Sequence, residues 1–297
     1  MTILKEGGNV FKTPEGPLTQ RIATGDVDST VAFLEKITGY DWQSEKDDDE
    51  RPAAYLGTTG RKSNPDGTFE KNSSGDLDLN TDLNKVSKQD IIAKLSAWLK
   101  SQGVPEAEIM NQGTKKSDGW IKDAGDQVHF RTPINGSDKN GFVQTDFMFT
   151  DNPKFQQGSK RGGTEQYSGK DRMMVLASVA RGRGLKFSPK FGVVDPNKGD
   201  EVVANDWDEI AKILLGNTAT EKDTRTVESI LAVIKRLPEY EDLIGPARES
   251  LAKDGKELPS ANESTVESLE DKQLARIKQL TGSLLNSSVM ISGAFNR

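Results

Sequence analysis

Cysteine is absent from the 297-residue chain, and His129 is its one histidine. The lack of cysteine excludes a disulfide framework, a thiolate metal site and a cysteine nucleophile. A single histidine excludes multi-histidine metal sites and argues against a Ser-His-Asp triad. No stretch approaches the roughly 18 apolar residues of a membrane-spanning helix, and the first residues contain no apolar run of signal-peptide length. We therefore expect a soluble, cytoplasmic protein with no membrane partner.

Strand and helix patterns are segregated along the chain. Strands are predicted at Ala53–Thr58, Asp76–Asn80, Gln127–Pro133 and Phe142–Phe149. Two shorter runs of lower quality occur at Val193–Val194 and Val202–Val203. Helical spacing occurs in Val27–Thr38, Ser87–Gly103, Lys170–Arg183, Trp207–Leu215, Thr226–Leu237, Leu243–Leu251 and Ser264–Leu285. This segregation predicts an α+β fold, with an N-terminal domain over residues 1–165 and an all-helical C-terminal domain over residues 166–297.

Three acidic residues on two of these strands are the candidates for chemistry. Alternate residues of a strand point to the same face, so Asp76 and Asp78 project together while Leu77 and Leu79 face the core. Two such carboxylates repel each other unless a cation lies between them. Asp146 lies on a later apolar strand, and it reaches the same place if that strand pairs beside the first. The alternative is a solvent-facing acidic strand.

Carboxylates in this arrangement favour Mg²⁺, which commonly binds one or two carboxylates together with substrate phosphates. Three of them can hold two ions about 3.5–4 Å apart, which clamp the attacking and leaving oxygens of a phosphoryl displacement. Upstream, Gly57, Thr58 and Thr59 offer backbone N–H groups and hydroxyls to phosphates, and glycine allows close approach.

These segments resemble the nucleotidyltransferase superfamily that includes DNA polymerase beta, poly(A) polymerases and CCA-adding enzymes, and they look most like its phage-encoded members. LGTTG stands for the Gly-Ser element of the family, SGDLDL for its Asp-x-Asp, and VQTDFM for its third aspartate. The resemblance covers roughly residues 50–150. Thr58 departs from the family serine, and the gap that follows it is longer than usual, which suggests an inserted loop over Gly60–Ser74.

The resemblance implies a mixed sheet flanked by helices and Mg²⁺-dependent transfer of a nucleoside monophosphate from an NTP, with release of pyrophosphate. Asp76 and Asp78 would bind both metal ions. Asp146 would bind the catalytic ion and help to activate the acceptor hydroxyl. Gly57, Thr58 and Thr59 would hold the triphosphate. The acceptor stays open between an RNA 3′ end, such as that of a tRNA, a protein hydroxyl and a small molecule, and a phage-encoded protein would act in the host cytoplasm.

Charge is distributed unevenly around these motifs. The formal net charge of −6 argues against a general nucleic-acid binder, yet residues 154–190 carry nine basic residues and two acidic ones. Candidates here for triphosphate or acceptor contacts are Lys160, Arg161, Lys170 and Arg172. The alternative is a helix whose exposed face is basic. His129 lies on a predicted strand, where a structural role is favoured.

A function of another class also fits the sequence. The fold could serve as a structural or interaction module, for example a virion or host-binding protein, with a retained but idle site. Mg²⁺-dependent binding of an NTP would favour the enzyme, and its absence would favour the module.

Overall fold

The computed structural model describes residues 10–48, 50–60, 72–110, 119–160, 163–164 and 166–260. The predicted helix Ser264–Leu285, the candidate Arg161 and most of the predicted insertion lie outside these residues. Elements are numbered below in chain order.

Four short strands precede the main sheet in the chain and form two separate pairs. β1 (Lys12–Thr13) pairs with β2 (Gly16–Pro17) in an antiparallel hairpin. β3 (Ile22–Ala23) pairs with β4 (Ser73–Ser74), also antiparallel. The second pairing places the residues just before the Asp-x-Asp motif beside Ile22 and Ala23.

The main sheet contains four strands in the order β5-β8-β7-β6. Their bounds are β5 Leu77–Asp82, β6 Ile121–Ala124, β7 Gln127–Pro133 and β8 Phe142–Thr150. β5 runs parallel to β8, whereas β7 is antiparallel to both β6 and β8. The mixed sheet agrees with the prediction, and β7 has the predicted bounds because its alternation and flanking turns are unambiguous.

Three helices accompany this sheet, namely α1 Val27–Thr38, α2 Lys88–Ser101 and α3 Glu106–Ile109. α1 has the predicted bounds and ends at Gly39, whose φ of 67° is the left-handed conformation that glycine adopts easily. Ser87 caps α2, because its side chain accepts a hydrogen bond from the backbone N–H of Asp90.

The predicted strand Ala53–Thr58 was wrong. Its backbone forms one bridge, between Tyr55 and Leu79, and then turns away from the sheet. Gly57 adopts a φ of 53°, a left-handed conformation that ends any extended run. The segment nevertheless lies alongside β5, because backbone hydrogen bonds join Leu56 to Asp78 and Asn80 to Ala54.

Five helices follow the sheet: α4 Pro153–Lys160, α5 Gly169–Gly182, α6 Trp207–Leu215, α7 Val227–Ile234 and α8 Tyr240–Lys253. Four of them match helical patterns in the sequence, and α4 was not predicted. Asp206 caps α6 by accepting hydrogen bonds from two backbone N–H groups of its first turn.

The prediction of an all-helical C-terminal domain was wrong over residues 186–204. A three-stranded antiparallel sheet occurs there, formed by β9 Lys186–Ser188, β10 Gly192–Asp195 and β11 Glu201–Ala204. Each strand has only three or four residues, too few for a period of two to stand out in the sequence. The second half is therefore also mixed.

Most of the buried apolar side chains that the structure describes fall into two clusters, one drawn from residues 22–149 and the other from residues 155–258. The boundary between residues 165 and 166 stays a prediction. Among the described residues, no helix combines the length and the apolar character needed to cross a membrane.

Candidate metal centre

The parallel pairing of β5 with β8 brings the predicted carboxylates together. Asp78 and Asp146 are direct partners in the ladder, so their side chains lie on the same face of the sheet. Asp76 precedes β5 by one residue and lies two positions before Asp78. One carboxylate oxygen from each of the three lies within 4.8 Å of the others. The predicted meeting of three aspartates across adjacent strands is confirmed.

Asp146 is held by two side chains. Its Oδ1 lies 2.7 Å from Nδ1 of His129, which faces it across the β7–β8 ladder. The same oxygen accepts a hydrogen bond of 2.8 Å from Nε2 of Gln144. The Asp146 side chain is only 13% exposed, so these donors replace water that burial has removed.

Asp76 and Asp78 have a different electrostatic environment. Burial raises the pKa of Asp78 to about 7, and repulsion from Asp76 and Asp146 adds to the rise. The pKa of Asp76 is also raised, mainly by burial and then by the charge of Asp146. In the described part of the chain, no side-chain donor forms a hydrogen bond with the Asp78 carboxylate. Asp78 therefore lacks the side-chain hydrogen bonds that a buried carboxylate normally has, whereas the charge of Arg21 and a backbone hydrogen bond partly compensate Asp76.

Two basic side chains partly oppose this negative charge. Lys160, at the end of α4, lowers the pKa of both Asp76 and Asp78, and Arg21 lowers that of Asp76. Arg21 is fixed by its Nε, which donates to Oγ of Ser73 at 3.0 Å. Arg21 was not among the predicted site residues, since only the β3–β4 pairing places it near the motif. Lys160 was predicted, and it lies within electrostatic reach of the carboxylates.

Lys170 and Arg172, the two other basic candidates that the structure describes, make their contacts elsewhere. Arg172 is 1% exposed, and its guanidinium donates to the backbone carbonyls of Gly158 and Thr224 and stacks over Trp207. The prediction that it contacts a nucleotide was wrong, because a basic segment was assumed to face solvent. Lys170 is exposed and lies 3.8 Å from Asp254, so no contact places it near the carboxylates.

The Gly57–Thr59 turn lies directly against the Asp-x-Asp strand. The N–H of Leu56 donates to the carbonyl of Asp78 at 3.0 Å. A Cβ added to Gly57 would lie 3.2 Å from Oδ2 of Asp78, so glycine leaves this carboxylate its space.

The two threonines of the turn serve different contacts. The Thr58 hydroxyl is partly exposed and pairs with the hydroxyl of Ser74. The Thr59 hydroxyl is buried and accepts a hydrogen bond of 2.9 Å from the N–H of Asp78. The Thr59 side chain thus braces β5, and its contact with a triphosphate stays a prediction.

The donor set suits a hard divalent cation. It consists of carboxylate oxygens, which Mg²⁺ and Mn²⁺ prefer, with no soft ligand among them. Burial and mutual repulsion raise the pKa of both Asp76 and Asp78, and no side chain among the described residues donates to the Asp78 carboxylate. A bound cation would relieve this state. The residues present therefore fit Mg²⁺.

In comparisons with known proteins, no family model matches the chain, and no curated protein or solved structure matches it either. Its function has to be inferred from the site.

Proposed function

We propose that the protein is a Mg²⁺-dependent nucleotidyltransferase, which moves a nucleoside monophosphate from an NTP to an acceptor hydroxyl. The observation that supports this most strongly is the register of the parallel ladder, which puts Asp78 beside Asp146 while Asp76 completes a cluster within 4.8 Å. The order of the elements also agrees, with a glycine-threonine turn before the Asp-x-Asp strand and the third aspartate on the neighbouring strand.

In this proposal Asp76, Asp78 and Asp146 hold Mg²⁺. When bound, Mg²⁺ supplies charge neutralisation to the phosphates and to the attacking and leaving oxygens. Without it, three buried carboxylates would repel a triphosphate, so the ion and the nucleotide are expected to bind together.

The other residues of the site bind and orient the nucleotide. Gly57 allows phosphate oxygens to approach the turn, and Thr58 offers a hydroxyl there. Lys160 and Arg21 supply positive charge on the side of Asp76, where the triphosphate would be attracted.

The transfer itself needs one bond to form and one to break. The acceptor oxygen bonds to the α-phosphorus, and the bond from that phosphorus to the bridging oxygen of pyrophosphate breaks. The proton of the acceptor hydroxyl passes to the Asp146 carboxylate, and the electron pair of the broken bond leaves with pyrophosphate. The acceptor classes that fit the proposal are an RNA 3′ end and a protein hydroxyl.

The test is incubation of the purified protein with each α-labelled NTP, Mg²⁺ and a host extract. We expect one NTP to label an acceptor and Asp78→Ala to abolish the labelling. Asp82→Ala is the matched control, because it makes the same change on the same strand, outside the cluster. Labelling by Asp78→Ala would remove the mechanism. Calorimetry that shows no NTP binding at millimolar ligand with Mg²⁺ would instead favour an idle interaction module.

A further inference from the structure

The carboxylate of Asp146 differs from those of Asp76 and Asp78 in the side chains that donate hydrogen bonds to it. Oδ1 of Asp146 receives N–H groups from both His129 and Gln144, at 2.7 and 2.8 Å. Oδ2 takes neither of these bonds. Asp78, its partner in the ladder, has no side-chain donor among the described residues. Asp146 is thus fixed by two protein side chains, whereas Asp78 lacks such support.

The two donors are themselves fixed. His129 is buried, and because an ionised carboxylate only accepts hydrogen bonds, its Nδ1 must carry the proton. Gln144 is also buried, and its Oε1 accepts the backbone N–H of Val10 at 3.0 Å. That contact sets the orientation of the amide, so its NH₂ group points to Asp146.

We propose that His129 and Gln144 are positioning residues, which hold the Asp146 carboxylate so that Oδ2 is presented as a metal ligand before any ion binds. The inference rests on the proposed function, since it concerns the metal that Asp146 would bind. Repulsion from Asp76 and Asp78 would otherwise turn the carboxylate away. Outer hydrogen bonds of this kind typically change metal affinity by about 10–100-fold.

The test is a titration of the full-length protein with Mn²⁺, in which electron paramagnetic resonance measures the concentration of the free ion. His129→Leu removes one donor and keeps an apolar side chain of moderate size. His129→Asn restores an N–H group near the position of Nδ1. Gln127→Leu is the control, because Gln127 lies on the same strand and face but pairs with Met148 instead. We expect affinity to fall about 10–100-fold in His129→Leu, to recover in His129→Asn, and to stay unchanged in Gln127→Leu.

Thermal unfolding checks that each variant folds. If His129→Leu does not fold, Gln144→Met tests the same role by removing the other donor. In the transfer assay, His129→Leu should lower kcat while the KM for the NTP stays near the wild-type value. A general loss of structure would instead change both.

The two proposals fail in different ways. A wild-type protein that binds no Mn²⁺ would overturn the proposed metal site. If the wild type binds Mn²⁺ and both His129→Leu and Gln144→Met bind it equally well, the positioning role alone is overturned. Failure of His129→Asn to recover affinity would also overturn it, because the loss would then come from packing.

Discussion

Neutralising Asp78 should stabilise the metal-free protein. The pKa of this buried carboxyl is about 7 in the folded state, against an ordinary value of 3.8. At about 1.4 kcal/mol per pKa unit, this difference corresponds to about 4 kcal/mol of lost stability once the group is ionised. Because the three carboxylates share their repulsion, we expect Asp78→Asn to recover about 2–4 kcal/mol at pH 8.

The effect of Asp78 on the free energy of unfolding depends on pH in a defined direction. The folded state raises the pKa, so the unfolded chain ionises first as the pH rises. The loss of stability from ionised Asp78 therefore begins near pH 4, grows towards pH 7 and is complete above it. The advantage of Asp78→Asn should be largest at pH 8 and should vanish below about pH 4.

Urea unfolding in EDTA, followed by tryptophan fluorescence, measures this difference. Trp42 is a suitable probe, because its indole N–H donates to the Thr81 hydroxyl of β5 at 3.2 Å. Asp82→Asn, on the same strand, should change the free energy of unfolding much less. Added Mg²⁺ should stabilise the wild type but not Asp78→Asn. A variant that is less stable than the wild type in EDTA at pH 8 would refute the electrostatic reasoning.

Three further predictions concern the turn and the basic residues. Gly57→Ala should lower the free energy of unfolding by about 1–2 kcal/mol through its left-handed backbone and should also weaken Mn²⁺ binding. The control Gly125→Ala, at a φ of 58° with open space around it, should lower stability alone. Equal Mn²⁺ affinities of the two variants would contradict this. Arg172→Met should cost at least about 2 kcal/mol in urea unfolding, because buried carbonyls lose their donor, and NTP affinity in calorimetry should stay unchanged. Lys160→Gln should weaken NTP binding several-fold, and the exposed Lys170→Gln should not; equal effects of the two would remove Lys160 from the nucleotide site.

Local elements with a strong pattern could be predicted from the sequence. α1 and β7 have the predicted bounds, because each has a clear hydrophobic period and a glycine or turn residue at its end. The valine pairs at 193–194 and 202–203 marked two of the short strands β9 to β11, but their sheet could not be predicted, since three or four residues give no readable period.

The candidate site depends on pairings that no local pattern encodes. The alternation of Asp76 and Asp78 was visible, but the parallel register with Asp146 arises from packing between strands far apart in the chain. The contact between His129 and Asp146 follows from the hairpin register, which the turn residues before β8 could have suggested. Arg172 was misassigned because a charged residue is expected at the surface, whereas this one lies on the buried face of α5.

The central claim is that three aspartates jointly hold divalent ions at a nucleotide. A crystal grown with Mn²⁺ and a non-hydrolysable NTP tests it most directly, through the anomalous scattering of manganese. We predict two anomalous peaks about 3.5–4 Å apart, ligated by Asp76, Asp78 and Asp146 and by phosphate oxygens. Bound nucleotide with no peak between these carboxylates, or manganese bound only elsewhere, would contradict the account.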